Sequence, residues 1–362
     1  MKRIYETVLA EHVRESRQMA FLCGPRQVGK TTTARAVMTG ERYLNWDVPE
    51  AKRVILQGAS GLATAFGLDA LSKRPPVVVL DEIHKYGKWK NLLKGFFDLY
   101  ETRCRCIVTG SARMDVYRRG GDSLMGRYFL YRMHPLSVGE LCHASLSEKE
   151  IQMPRRVSVA DMMALVEFGG FPEPFVRQEK RFHTRWNATR TERLLKEDLR
   201  DLTRVQEVGL VQVLAEMLAA QSGQLLNYSR LANGLNVSVD TVTRWVRLLE
   251  SLYVCFTVKP WFKNVAKSLR KQPKVYLWDW SGLSDPGARH ENLVASHLLK
   301  AVHAWTDRGL GRYELRYLRD KTGHEVDFIV IRDGTPWFLV EVKTGAKRDL
   351  NPNLAYYQRE TQ

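Results

Sequence analysis

The chain has 362 residues, with 56 Lys and Arg against 40 Asp and Glu, a formal net charge of +16, and 44% hydrophobic and 27% charged content. This composition suits a folded chain of two or three domains and excludes wholesale disorder. No run approaches the ~20 apolar residues of a membrane span, and the opening MKRIYETVLAEHV lacks a signal-peptide core, so a cytoplasmic protein with no membrane partner is expected.

Five cysteines without a CxxC pair fit a reducing compartment, and Cys104 and Cys106 read as alternating strand residues rather than a metal pair. The positive balance points toward a polyanionic partner, nucleic acid first.

From the N-terminus, short apolar runs alternate with helical patterns, as in an α/β unit built on a mostly parallel sheet. Strands are expected at Met19–Cys23, Tyr43–Trp46, Val77–Leu80, Cys106–Thr109 and Tyr128–Met133, with helices over Lys30–Met38, Pro49–Gln57 and Trp89–Tyr100. Residues 150–204 read as polar and helical, broken by the Gly169–Pro174 turn, and the heavily charged stretch Thr184–Arg204 suits a solvated or nucleic-acid-facing helix. A helix over Val208–Gln221, a short one at Tyr228–Asn233, a helix over Val239–Ser251 and a strand at Tyr253–Val258 follow the order of a winged helix-turn-helix. The remainder predicts a helix over Glu291–Ala304 and strands at Glu314–Leu318, Glu325–Ile331 and Trp337–Lys343. The expected domains are therefore a P-loop core at 1–148, a helical lid at 149–204, a winged helix-turn-helix at 205–262 and a C-terminal α/β domain at 263–362.

The segment Gly24-Pro25-Arg26-Gln27-Val28-Gly29-Lys30-Thr31 fits GxxxxGK[ST] between an expected strand and an expected helix that begins with Thr32 behind it. Glycines let such a loop turn its amides inward, and the helix N-terminus adds positive potential for phosphate oxygens. Lys30 is placed to reach the β- and γ-phosphates of ATP, and the Thr31 hydroxyl to hold Mg²⁺. In Val77-Val78-Val79-Leu80-Asp81-Glu82 the apolar strand delivers Asp81 to the sheet edge as a Mg²⁺ ligand. Glu82 then serves either as the base that polarises the attacking water or as a neighbour of a helix cap. At the end of Ile107–Ala112, Thr109 or Ser111 would stand beside the γ-phosphate, orienting water or merely capping a helix. Arg113, Arg118, Arg119, Arg127 and Arg132 follow, with Arg127 the chosen arginine finger.

The chain resembles a family of prokaryotic AAA-type ATPases with a C-terminal domain of unknown function. The matching pieces are residues 24–32, 77–85, 109–115, 125–141, 169–174, 291–300 and 325–343, in that order. The resemblance implies a P-loop core of the additional-strand type, with Lys30, Thr31, Asp81 and Glu82 in the roles just given.

Glu291, Asp327, Glu341 and Lys343 resemble the constellation of restriction-endonuclease-like (PD-(D/E)XK) nucleases. That resemblance implies a metal held by Glu291, Asp327 and Glu341, with Lys343 polarising water. Glu341 and Lys343, two apart on a strand, share a face. Asp327 joins that face if the hairpin has a three-residue loop, Arg332–Gly334, whereas a two-residue Asp333-Gly334 turn would send it to the other side. Val326 stands where such nucleases carry proline. Only 19 residues follow Lys343, so either the fold closes differently or the domain is incomplete. Cleavage and a docking or dimerisation role are both open.

In the winged-helix reading, Val239–Ser251 offers Ser238, Asp240, Thr241, Thr243, Arg244 and Arg247. The wing offers Lys259, Lys263, Lys267, Arg270, Lys271 and Lys274 interleaved with Trp261 and Phe262, suited to phosphate contact or to a protein partner. The expectation is an ATP- and Mg²⁺-dependent ATPase acting on DNA, branched or repair intermediates first, with ring, dimer and monomer all open. The alternative is a nucleotide-dependent regulatory switch with a C-terminal binding module.

Overall fold

The computed structural model describes residues 1–70, 72–110, 124–142, 146–153, 155–194, 208–262, 272–344 and 351–361. Ser111, Arg113, Arg118, Arg119, Lys263, Lys267, Arg270 and Lys271 lie outside them. Packing divides the chain into two units: residues 1–134 with 139–155, and residues 135–138 with 156–362.

The first unit is a parallel sheet of β1 (Met19–Cys23), β2 (Tyr43–Asn45), β3 (Val77–Asp81), β4 (Arg105–Gly110) and β5 (Tyr128–Arg132). Their order is β2-β3-β4-β1-β5. β1 and β3 are buried at every position, which is why both read as unbroken apolar runs rather than alternating ones. β4 lies between the loop-bearing strand and the acidic strand, as the additional-strand expectation requires.

Helices α1 (Ile4–Glu15), α2 (Lys30–Val37), α3 (Pro49–Leu56), α4 (Gly58–Phe66) and α5 (Trp89–Tyr100) belong to this unit. Leu93 and Phe96 of α5 pack with Ile55, Leu62 and Phe66 on Phe21, Val78 and Val108. Each such side chain removed from water contributes about 1.5–3 kcal/mol. Sequence periodicity did not register α1 or α4. The small residues Gly58, Ala59, Ser60 and Gly61 opening α4 carry no apolar stripe.

In the second unit, α6 (Val159–Phe168), α7 (Pro172–Arg177) and α8 (Lys180–Arg193) precede α9 (Val208–Ala220), α10 (Tyr228–Leu235) and α11 (Val239–Ser251). α8 is not uniformly solvated: Trp186 is buried, and the Arg190 guanidinium lies 4.1 Å above the Phe171 ring and 3.9 Å from Asp279. α9 to α11 close a core of Leu214, Leu218, Leu231, Val242, Trp245 and Leu249, with Ser238 capping α11 through Thr241 N–H.

β6 (Cys255–Pro260) pairs antiparallel with β7 (Lys274–Leu277) and parallel with β8 (Tyr313–Arg319). With β9 (Glu325–Arg332) and β10 (Thr335–Val340) these form one sheet, ordered β10-β9-β8-β6-β7. The expected boundary at 262/263 therefore falls inside a continuous sheet, and the expected separate lid, winged and C-terminal pieces pack as one unit.

α12 (Pro286–Asp307) begins earlier than the expected Glu291 because Asp285 caps it and Pro286 suits its first position. α13 (Pro352–Thr361) closes the end of the sheet, with Leu354 and Tyr357 packed on Leu318, Val326 and Ile329.

Candidate functional site

The P-loop runs from the end of β1 into α2. A Cβ at Gly24 would lie 2.3 Å from the Met133 carbonyl oxygen, so only glycine lets the loop pass β5 this closely. Gln27 (φ 61°) and Gly29 (φ 99°) take left-handed backbone, curling the loop back on itself. Lys30, buried at the start of α2, donates to the carbonyls of Gly24 at 2.9 Å and Pro25 at 2.7 Å, so its ammonium lies across the loop. Burial pushes that ammonium below its ordinary pKa, against the opposing pull of Glu82 and Asp81. Arg26 is half-buried in the loop, Val28 is buried, and Gln27 and Thr32 are exposed.

Asp81, at the end of β3, is 2% exposed and collects three hydroxyls. Thr31 donates at 2.7 Å and Tyr43 at 2.7 Å to Oδ2, and Thr109 donates to Oδ1. Thr109 thus orients the acidic residue, and Ser111 lies outside the described residues. Tyr43 was not singled out in the sequence, because an aromatic residue opening a strand reads as core. The donor set of Thr31 and Asp81 suits Mg²⁺, a hard cation that prefers oxygen.

Glu82 has φ 54°, left-handed for a residue with a side chain, and its N–H donates to Thr109 O at 3.1 Å. Such a conformation costs about 1–3 kcal/mol and is tolerated where surrounding structure imposes it. Its carboxylate lies 3.4 Å from Lys85 Nζ and 3.7 Å from His84 Nε2.

Arg127 departs from expectation. It precedes β5, and its backbone carbonyl accepts from Met19 N at the start of β1, so it stands at the edge of the sheet opposite the P-loop. Its guanidinium grips Asp98 at 2.7 and 3.0 Å. It cannot reach phosphates held by its own chain.

Arg3 joins the site from the N-terminus, in a place the sequence did not flag. Its guanidinium donates to Val28 O at 2.6 Å, to His134 O at 2.6 Å, and to both Glu140 oxygens at 2.8 and 3.2 Å. Both side chains are 5% exposed or less. One planar fork therefore ties the P-loop backbone to the segment after β5. Arg3→Met should leave Glu140 buried without its cation and destabilise the first unit by about 3–5 kcal/mol in urea unfolding. Arg3→Lys should recover only part, because an ammonium lacks the fork.

The side chains proposed for nucleic acid divide. Arg244 and Arg247 on α11 and Lys259 on β6 are exposed. The Thr241 hydroxyl meets Ser238 Oγ at 2.9 Å, and Thr243 donates to Val239 O at 2.8 Å, so both serve their own helix. Lys274, expected in the basic wing, is instead 3% exposed on β7.

Lys274 enters the constellation formed by Glu291, Asp327, Glu341 and Lys343. Its Nζ is 2.6 Å from Glu325 Oε1, 3.4 Å from Glu291 Oε1 and 3.6 Å from Asp327 Oδ1. Tyr276 donates to Glu291 at 2.7 Å.

The hairpin corrects the expected register. Asp333 (φ 49°) and Gly334 (φ 84°) form the two-residue turn, with Thr335 opposite Arg332. A bulge between Pro336 and Phe338 then shifts the pairing by one residue, so Val340 lies opposite Phe328 and Glu341 comes level with Asp327. The strand stops at Val340, short of the expected Lys343, because Val342 N–H turns to the Asp327 carboxylate at 2.8 Å. Glu341 Oε1 is taken by Lys343 at 2.8 Å and Asn351 at 2.6 Å, while its buried Oε2 has no hydrogen-bond partner among the described residues. Burial raises the Asp327 carboxyl to about 6, with Glu291 and Glu341 adding to the shift and Val342 N–H and Lys274 opposing it.

Among the described residues no group of three or more His, Cys, Asp or Glu side chains is arranged to hold a metal ion. The expected metal set of Glu291, Asp327 and Glu341 therefore does not fit: an ammonium stands among the carboxylates where the ion was anticipated.

Strand order, loop and acidic pair together give the first unit an α/β architecture that resembles AAA-type P-loop domains. Residues 16–142 match the family profile described as "AAA domain". Residues 159–284 and 286–358 match two profiles, each described as a domain of unknown function (DUF8612 and DUF4143). The uncharacterized protein Rv2008c of Mycobacterium tuberculosis is 26% identical over 326 residues, covering 88% of this chain and 69% of that one. MJ1637 of Methanocaldococcus jannaschii is 23% identical over 390 residues, covering 96% and 80%. Among solved structures, the ORC1 protein of Aeropyrum pernix in complex with DNA is similar at a TM-score of 0.36 and 15% identity, covering 81% of this chain and 92% of that one. Among the described residues no helix is long and apolar enough to cross a membrane.

Proposed function

We propose that this protein binds and hydrolyses ATP in its first unit and uses the cycle to act on DNA through its second. The convergence of Lys30, Thr31, Thr109 and Glu82 around Asp81 at one edge of the parallel sheet carries the first half of the reading. Loop amides and the α2 N-terminus receive phosphate oxygens, and Lys30 exchanges its loop carbonyls for the β- and γ-phosphates. Thr31 and Asp81 would hold Mg²⁺, which neutralises charge building on the phosphoryl oxygens. Tyr43 and Thr109 keep the Asp81 carboxylate oriented, and Glu82 accepts a proton from the attacking water.

The DNA half rests on the net charge of +16 and on exposed Arg244, Arg247 and Lys259 in a helix-turn-helix order with a following β-pair. Each phosphate these cations neutralise adds salt dependence to binding. Turnover measured with duplex, single-stranded and four-way-junction DNA across a salt series tests this half. Stimulation that fades steeply with salt is expected.

A regulatory switch is the second reading, favoured by the ammonium among the C-terminal carboxylates, which suits a binding module better than a metal-dependent nuclease. Slow turnover indifferent to every DNA would select the switch.

A further inference from the structure

The carboxylates of the C-terminal sheet come from three places in sequence: Glu291 on α12, Glu325 and Asp327 on β9, and Glu341 just past β10. Their counter-charges come from the chain itself. Lys274 reaches Glu325, Glu291 and Asp327 from the edge strand β7, on a side chain 4% exposed. Lys343 pairs with Glu341 at 2.8 Å.

We infer that Lys274 is the resident cation of this site and takes the place of a divalent metal, so that the second unit neither recruits Mg²⁺ there nor cleaves DNA.

Three features of the geometry support it. An ammonium 2.6 to 3.6 Å from three carboxylates occupies the volume in which a divalent ion would need to bind them. The Lys274 backbone is fixed by pairing with Val258 and by a bridge to Leu225, so the ammonium arrives from a held strand rather than a free surface chain. Tyr276, two residues on along the same strand, fills a Glu291 oxygen, and Val342 N–H fills an Asp327 oxygen. Withdrawing Lys274 would leave Glu291 and Asp327 without their shared ammonium, a repulsion that a metal ion or a proton relieves. The same site thus has two fillings, an internal ammonium or an external metal, and this sequence carries the first. Glu341 Oε2, without a hydrogen-bond partner among the described residues, is an atom an external ion could take, which makes the question an experimental one.

The test does not involve ATP or DNA stimulation, so its outcome is separate from that of the proposed function. Mn²⁺ is titrated by electron paramagnetic resonance into the full chain as wild type, Asp327→Asn, Lys274→Met and the double variant, each checked for folding by thermal melting. Wild type and Asp327→Asn should bind the same number of ions. Lys274→Met should gain one ion per chain, and the double variant should lose it. An ion bound by wild type and lost in Asp327→Asn overturns the inference, as does a folded Lys274→Met that gains none. Lys274→Gln replaces Lys274→Met if methionine prevents folding. Supercoiled DNA incubated with wild type in Mg²⁺ or Mn²⁺ should stay intact, and nicking that disappears in Asp327→Asn also overturns the inference.

Discussion

Lys30→Ala should lower affinity for ATP by ~10²–10⁴-fold in calorimetric titration, because two charge-assisted hydrogen bonds to phosphate are lost at about 1.5–3 kcal/mol each. The fold should survive. Lys30 is a buried ammonium satisfied mainly by loop carbonyls, and alanine is the best helix former at the start of α2. A loss of affinity with an unchanged melting temperature is therefore the signature of a ligand contact rather than a structural one. Retained affinity would remove the phosphate-binding role from the loop, and with it the ATPase reading of the first unit.

Glu82→Gln should behave in the opposite way, leaving ATP affinity near that of wild type while turnover falls by ~10²–10⁴-fold. Glutamine has the same shape, so the left-handed backbone at this residue and its N–H bond to Thr109 should persist. Only the ability to accept a proton is removed. Single-turnover hydrolysis alongside equilibrium binding separates the two effects. Wild-type turnover in the variant would leave Glu82 as a partner of Lys85 and His84 and nothing more.

Much of the first unit was legible because its chemistry is local in sequence. A loop that wraps phosphate needs its glycines, lysine and hydroxyl within eight residues, and a buried parallel strand announces itself as an unbroken apolar run. The five strands of the first sheet and helix α5 accordingly fall where periodicity places them, to within a residue or two. The position of Arg127 was not legible for a reason of the same kind seen from the other side. A sequence position close to the motif says nothing about which end of a parallel strand a residue occupies, and the register with Met19 puts it at the far end.

The second unit was less legible because its contacts are remote in sequence. The hairpin turn has the two residues that alone would have sent Asp327 away from Glu341, and a single bulge after Pro336 reverses that outcome. Lys274 sits in a stretch that reads as a basic, solvated wing, yet its strand folds the side chain inward onto carboxylates as far along the chain as Glu325 and Asp327. Arg3 is a similar case, a terminal arginine that composition assigns to solvent and that packing sets against the P-loop.

The sequence by itself determined the phosphate-loop and acidic-strand motifs of this protein, most of the order of its secondary structure and its excess of positive charge, since each is written in short spacings or in composition. Tertiary structure alone decided which charged side chains meet. Burying a charge is so costly that it must find a partner, and that partner is chosen by where the chain returns in space rather than by its distance along the chain.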